Sequence, residues 1–142
     1  MTGLAPERLH ASCVAFDGRG VLLIGPSGAG KSSLALRLMS LGALLVADDQ
    51  TLLEASDGVL YARAPENLRG MIEARYLGLL TAAALDCARV DLVVDLSRDE
   101  TERLPPLRKI VLAGVECALA YGSDPSHLSH AVRCLVLNGR CA

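Results

Sequence analysis

Hydrophobic positions come in short blocks along this chain, and the spacing within each block changes from one to the next. Ala11–Phe16 and Gly20–Ile24 are apolar runs of strand length on either side of a turn at Asp17-Gly18-Arg19-Gly20. Between Lys31 and Leu41 the period lengthens. Leu34, Leu36, Leu38 and Leu41, with Ala35, suit a helix, and Gly42 is a natural stop. Ala43–Ala47 reads as a buried strand that ends on Asp48-Asp49. Thr51–Ala55 and Val59–Ala64 flank Ser56-Asp57-Gly58 as a hairpin. Pro65–Leu68 suits a helical turn, whereas Met71–Thr81 is mixed and follows neither period. Arg89–Leu96 is apolar at Val90, Leu92, Val93, Val94 and Leu96, as in a strand covered on both faces. The charged, proline-bearing Ser97–Arg108 is a surface connection. Ile110–Leu112 and Val115–Ala120 are short strands, and Ser126–Leu137 is a closing helix capped by Asp124 or Ser126. The prediction is one α/β domain over residues 1–142, a mixed sheet of short strands with few helices. A doubly wound sheet needs more helical crossovers.

Composition narrows the function. With 142 residues, 51% of them apolar, the chain can bury a single core. A net charge of −2, one Phe, three Tyr and no Trp argue against both an electrostatic grip on nucleic acid and a base-stacking platform. No apolar run approaches the length of a membrane span, and Met1–Leu9 lacks the apolar core of a signal peptide. The five cysteines are scattered and form no CxxC pair, so free thiols in a reducing cytoplasm are expected.

The chemistry concentrates in Gly25-Pro26-Ser27-Gly28-Ala29-Gly30-Lys31-Ser32, which matches GxxxxGK[ST] at every fixed position. Glycines let a backbone wrap its N–H groups around phosphate oxygens, and the helix that follows aims its positive end at them. Lys31, one of only two lysines, suits the β- and γ-phosphates, and the Ser32 hydroxyl suits Mg²⁺. An apolar strand before the loop and a periodic helix after it give the motif its proper context.

A phosphate cradle alone does no chemistry. Asp48-Asp49 closes the next strand, and neighbours at a strand end point different ways, so one can face Mg²⁺ and the other a substrate. The plainer alternative is a solvated turn. His10, ahead of the first strand, is of the type that orients a carboxylate or binds a phosphate; packing at the surface is its alternative. His127 and His130 receive no role.

Four features together resemble the C-terminal catalytic domain of the bacterial HPr kinase/phosphorylase family. They are Leu9-His10-Ala11-Ser12, the loop Gly25–Ser33 with Leu34-Ala35-Leu36, the strand end Leu45-Val46-Ala47-Asp48-Asp49, and Met71-Ile72-Glu73-Ala74-Arg75-Tyr76-Leu77-Gly78-Leu79-Leu80. The last is similar to the signature L-E-I-R-G-L-G-I, with Ala74 and Tyr76 as variants. The resemblance implies a P-loop kinase fold related to phosphoenolpyruvate carboxykinase. It implies ATP- and Mg²⁺-dependent phosphorylation of a serine on an HPr-type phosphocarrier, reversible with inorganic phosphate, in a hexamer. It places His10, Asp48 and Asp49 at the catalytic centre, one aspartate being the base. Gly25, Pro26, Ser27, Gly28, Ala29, Gly30, Lys31, Ser32 and Ser33 would bind the nucleotide. Ser32, Asp48 and Glu73 would hold Mg²⁺, with Arg75 near the phosphates or supporting Glu73.

Two departures shape the expectation. A P-loop at residue 25 leaves no room for the family's N-terminal domain. Tyr121–His127 lacks the arginine of a Pro-Gly-Arg-Asn-like loop linked to the reverse reaction, so only weak phosphorolytic reversal is expected. Two other classes compete with this one. A small-molecule P-loop kinase would need an arginine-rich lid, for which Arg98, Arg103 and Arg108 are the candidates. A nucleotide sensor would bind ATP and transfer nothing.

Overall fold

The computed structural model describes residues 6–122 and 124–141; Met1–Ala5, and Ser123 in the Tyr121–His127 loop, lie outside the described residues. The elements run β1 (Glu7–Leu9), β2 (Ala11–Phe16), β3 (Arg19–Ile24), α1 (Lys31–Ser40), β4 (Leu44–Ala47), β5 (Thr51–Ser56) and β6 (Val59–Arg63). After a 3-10 turn at Glu66–Leu68 come β7 (Met71–Ala74), β8 (Gly78–Thr81), β9 (Ala88–Asp95), β10 (Arg108–Leu112), β11 (Val115–Tyr121) and α2 (Pro125–Asn138).

Nine strands form one mixed sheet in the order β1-β5-β6-β9-β3-β2-β4, with β11 and then β10 branching from β9. Local pairs are antiparallel hairpins. The turn of β2–β3 is Asp17-Gly18, both at positive φ, as a tight two-residue hairpin loop requires. The parallel pairs are β3 with β9 and β9 with β11, and the antiparallel pairs β1–β5, β2–β4 and β6–β9 also join distant segments. The β3–β9 register slips between Gly20 and Val21, where a Cβ on Gly20 would come within 2.7 Å of the Arg89 carbonyl oxygen. Only glycine permits that approach.

β2 is buried along its whole length because it is covered on both faces. Its alternation sorts the core into two clusters. Val14 and Phe16, with Val21, Leu23 and Val94, face Leu34, Ala35 and Leu38 of α1 and Val132 and Val136 of α2. Ala11, Cys13 and Ala15 face the other way, onto Leu53, Leu60 and Ala62 of the β5–β6 hairpin, so the sheet curls over its own surface. Burial in that second cluster pushes the Cys13 thiol up to about 12, leaving it an inert apolar group. The five cysteines are free.

Most predicted elements lie where the hydrophobic pattern puts them, and Asp124 caps α2 by accepting from the Ser126 N–H. Two were not foreseen. β1 is polar and short, and its pairing with β5 rests on backbone hydrogen bonds. β7–β8 is a separate two-stranded sheet. Its inward residues, Ile72 and Ala74, alternate properly, but Tyr76, Leu77 and Leu79 are exposed and blur the period.

Candidate functional site

The phosphate loop hangs between two strand ends. β3 delivers the chain at Ile24, whose carbonyl accepts from Leu96 N at 2.9 Å, fastening the loop to the end of β9. Gly25 has φ 146°, and a Cβ there would press on Ala29 at 3.1 Å. Gly30 caps α1 with φ 99° and supplies no side chain, and the first turn of α1 carries no acidic residue. The helix therefore presents uncompensated N–H donors and its positive end to the loop. That arrangement fits an anion.

Lys31 is only 6% exposed and arches back over the loop, donating to the carbonyl oxygens of Gly25 at 2.7 Å and Pro26 at 3.0 Å. Burial pulls its pKa below the ordinary lysine value, and the charges of Asp49 and Asp48 partly oppose that shift. An ammonium held among neutral carbonyls gains from an arriving phosphate.

Asp48 is buried just past the end of β4 and accepts three hydrogen bonds. Its Oδ1 accepts from Ser12 Oγ at 2.8 Å and Ser32 Oγ at 2.7 Å, and its Oδ2 accepts from Glu73 N at 3.0 Å. A carboxylate has about four lone-pair sites, so one is left over. Ser32, having donated its proton, turns free lone pairs outward. Ser12 was named only within a motif and given no role by the sequence. The available signal was a hydroxyl in a wholly buried apolar strand, where it must find a partner.

Asp49 takes the opposite course, as neighbours at a strand end can. It is exposed, has φ 66°, and Gln50 N bonds back to Asp48 O at 2.7 Å. A bond across one residue with positive φ is the rarer, strained form of γ-turn. The Asp49 carbonyl accepts from Ala11 N at 3.2 Å, and its N–H donates to Ser12 Oγ at 3.4 Å, pinning the turn to β2. Its carboxylate meets His10 Nε2 at 2.8 Å.

The β7–β8 hairpin forms the opposite wall. Glu73 on β7 and Arg75 in the turn that follows both line the cavity. Among the described residues neither side chain has an ion-pair or side-chain hydrogen-bond partner, and both are exposed. That cavity, about 400 Å³, is also lined by His10, Ser12, Ser27, Gly28, Gly30, Lys31, Ser32, Ser33, Leu36 and Asp49. Gly25, Pro26, Ala29 and Asp48 stand behind it as supports.

Among the described residues, no three His, Cys, Asp or Glu side chains gather into a metal cage. The donor set of Ser32, Asp48 and Glu73 suits Mg²⁺, which prefers a few oxygen ligands, retained waters and substrate phosphates. None of the lid candidates Arg98, Arg103 and Arg108 lines the cavity. Arg108 is forked onto Glu100 at 2.9 Å and lies 4.5 Å from the Tyr121 ring centre, Arg98 lies over the same ring, and neither lines the cavity. Among the described residues no helix is long and apolar enough to cross a membrane.

Comparison with known proteins bears on this arrangement. The family described as HPr Serine kinase C-terminal domain matches residues 3–105. The HPr kinase/phosphorylase of Leptothrix cholodnii is 42% identical over 133 residues, covering 75% of this chain and 41% of that protein. That of Clostridium beijerinckii is 45% identical over 83 residues, covering 58% of this chain and 28% of the other. The chain thus spans less than half the length of these relatives. The solved structure of the Hpr(Ser) kinase/phosphatase from Coxiella burnetii superposes with a TM-score of 0.78 at 23% identity, covering 89% of this chain and 94% of that one. At that identity the match speaks for a shared fold.

Proposed function

The chain belongs to the HPr Serine kinase C-terminal domain family, and on that footing we propose that it transfers the γ-phosphoryl group of ATP to a serine of an HPr-type phosphocarrier. The observation that carries this is the meeting, in one cavity, of the phosphate-loop Lys31 with the exposed, histidine-bound carboxylate of Asp49.

Lys31, the loop N–H groups and the start of α1 hold the phosphates. Ser32, Asp48 and Glu73 would hold Mg²⁺, which when bound would neutralise charge on the group being transferred. Asp49 is the base. It accepts the proton of the serine hydroxyl as that oxygen bonds to the γ-phosphorus and the bond to the ADP oxygen breaks. His10 keeps the Asp49 carboxylate aimed, and Asp48, with its lone pairs largely committed, serves Ser32 and the metal instead. Arg75 adds positive charge where the phosphoryl group passes. By the same resemblance the protein works in the cytoplasm as a hexamer, and the absence of an arginine from Tyr121–His127 leaves only weak phosphorolytic reversal.

The test is to supply γ-labelled ATP, Mg²⁺ and purified HPr to the chain and to Lys31→Ala, then map the label. Label on an HPr serine with the native chain alone supports the proposal. ATP binding without transfer would reduce the protein to a nucleotide sensor, and transfer to small hydroxyl compounds alone would make it a metabolite kinase.

A further inference from the structure

Tyr76 sits at the tip of the β7–β8 hairpin with φ 74° and 95% of its surface exposed. Leu77 N donates to Ala74 O at 3.0 Å, which makes Ala74–Leu77 a four-residue turn with Tyr76 in third place. Positive φ at that place calls for glycine, and glycine is what the signature L-E-I-R-G-L-G-I carries there. A bulky side chain in this region is a backbone outlier. Such strain persists where it serves function. With its ring in solvent, the residue returns little packing to the fold. Leu77 and Leu79 beside it are also largely exposed, at 79% and 65%.

The turn is continuous with the candidate catalytic cavity, because the residue before Tyr76 is Arg75 and the strand leading into the turn carries Glu73, both of which line it. Tyr76 does not line the cavity; it projects at the rim. A projecting tip cannot enclose a small molecule, which needs a concave site. A tyrosine flanked by aliphatic side chains is instead the kind of anchor that enters a shallow pocket on another protein. The acceptor hydroxyl must reach Asp49 from the solvent side, so a protein bearing it comes to rest on this rim.

We propose that Tyr76 is a specificity residue, gripping an apolar patch next to the acceptor serine on the protein substrate. The proposal rests on the protein serine kinase reading above and names the surface through which that substrate is chosen. Leu77 and Leu79 extend the contact.

The experiment measures transfer from ATP–Mg²⁺ to purified HPr by the native chain, Tyr76→Gly, Tyr76→Asn and Tyr76→Phe. Glycine and asparagine both accept positive φ and keep the turn, while phenylalanine keeps the ring. The expected result is a KM for HPr raised about tenfold in Tyr76→Gly and Tyr76→Asn, with kcat and ATP affinity within about twofold of native, and a near-native KM in Tyr76→Phe. An unchanged KM for HPr in the first two overturns the proposal, as does a loss confined to ATP affinity, which would assign the ring to the nucleotide. If the native chain binds ATP and transfers nothing to HPr, the kinase reading itself falls and this proposal with it.

Discussion

His10 Nε2 lies 2.8 Å from Asp49 Oδ1, joining residues thirty-nine apart in the chain. The pair is well exposed, with 40% of the histidine side chain and 66% of the aspartate side chain open to solvent. An exposed pair of this kind adds little to stability. What it supplies is direction: the strained turn presents the Asp49 carboxylate to the cavity, and the imidazole holds it there.

Asp49→Asn should therefore leave the melting temperature and ATP affinity near native while lowering kcat about 10²–10⁴-fold. His10→Ala should give a smaller loss, about tenfold, because the base remains but wanders. Single-turnover transfer to HPr alongside calorimetric ATP titration checks both. Native turnover in Asp49→Asn would move the base elsewhere.

Ser12→Ala removes one of the donors that Asp48 relies on in a buried setting. The cost should be about 1–2 kcal/mol of stability, read by urea unfolding. The Mg²⁺ concentration for half-maximal transfer should also rise, because Asp48 then holds Ser32 less firmly. Asp48→Asn should raise it further.

Lys31→Ala should weaken ATP binding about 10²-fold with the fold intact, since a charged hydrogen-bond donor is lost from the cradle. The pH dependence has a definite sign. Burial has lowered the Lys31 pKa in the free protein. ATP requires the charged form, so raising pH through that lowered value forces proton uptake on binding, and affinity falls. The fall should begin at lower pH than an unperturbed lysine would give. Isothermal titration between about pH 7 and pH 10 checks it, with Lys31→Arg as a control that stays charged throughout.

Transfer should outrun its reversal. Drawing phosphate up to a phosphoserine sets like charges against each other, which extra cationic side chains relieve. Tyr121–His127 contains no arginine, so this falls to Lys31 and Arg75 in the cavity. Phosphorylated HPr supplied with inorganic phosphate should release pyrophosphate more slowly than the forward reaction runs at millimolar ATP. A faster reverse rate would contradict this.

The phosphate loop, its flanking strand and helix, and the acidic pair were legible in the sequence because each is a local pattern. That Asp48 and Asp49 point different ways was expected from a strand end, but the positive-φ turn that turns Asp49 out was not legible. The partners of Asp48 were not legible either, since Ser12 and the Glu73 N–H arrive from distant segments. The branching of the sheet at β9 was hidden for the same reason: one apolar run cannot announce that β6, β3 and β11 all pair with it. The β7–β8 hairpin was obscured by the solvent-facing apolar residues that give it interest.

The place of β9 in that sheet also sets an order of assembly. The β2–β3 and β5–β6 hairpins close from neighbouring residues as soon as they exist, whereas Val21 must wait for Leu92 and Ile24 for Asp95. Until β9 arrives, β3 has one bare edge and the phosphate loop has no anchor at Leu96. Contacts so far apart along the chain form slowly, after the entropy of closing a long loop has been met. Capacity to bind ATP should thus appear late in refolding, in step with the closing of this seam and not with the first gain of secondary structure. A nascent chain halted before residue 88 would carry the complete GxxxxGKS motif and still lack a working cradle.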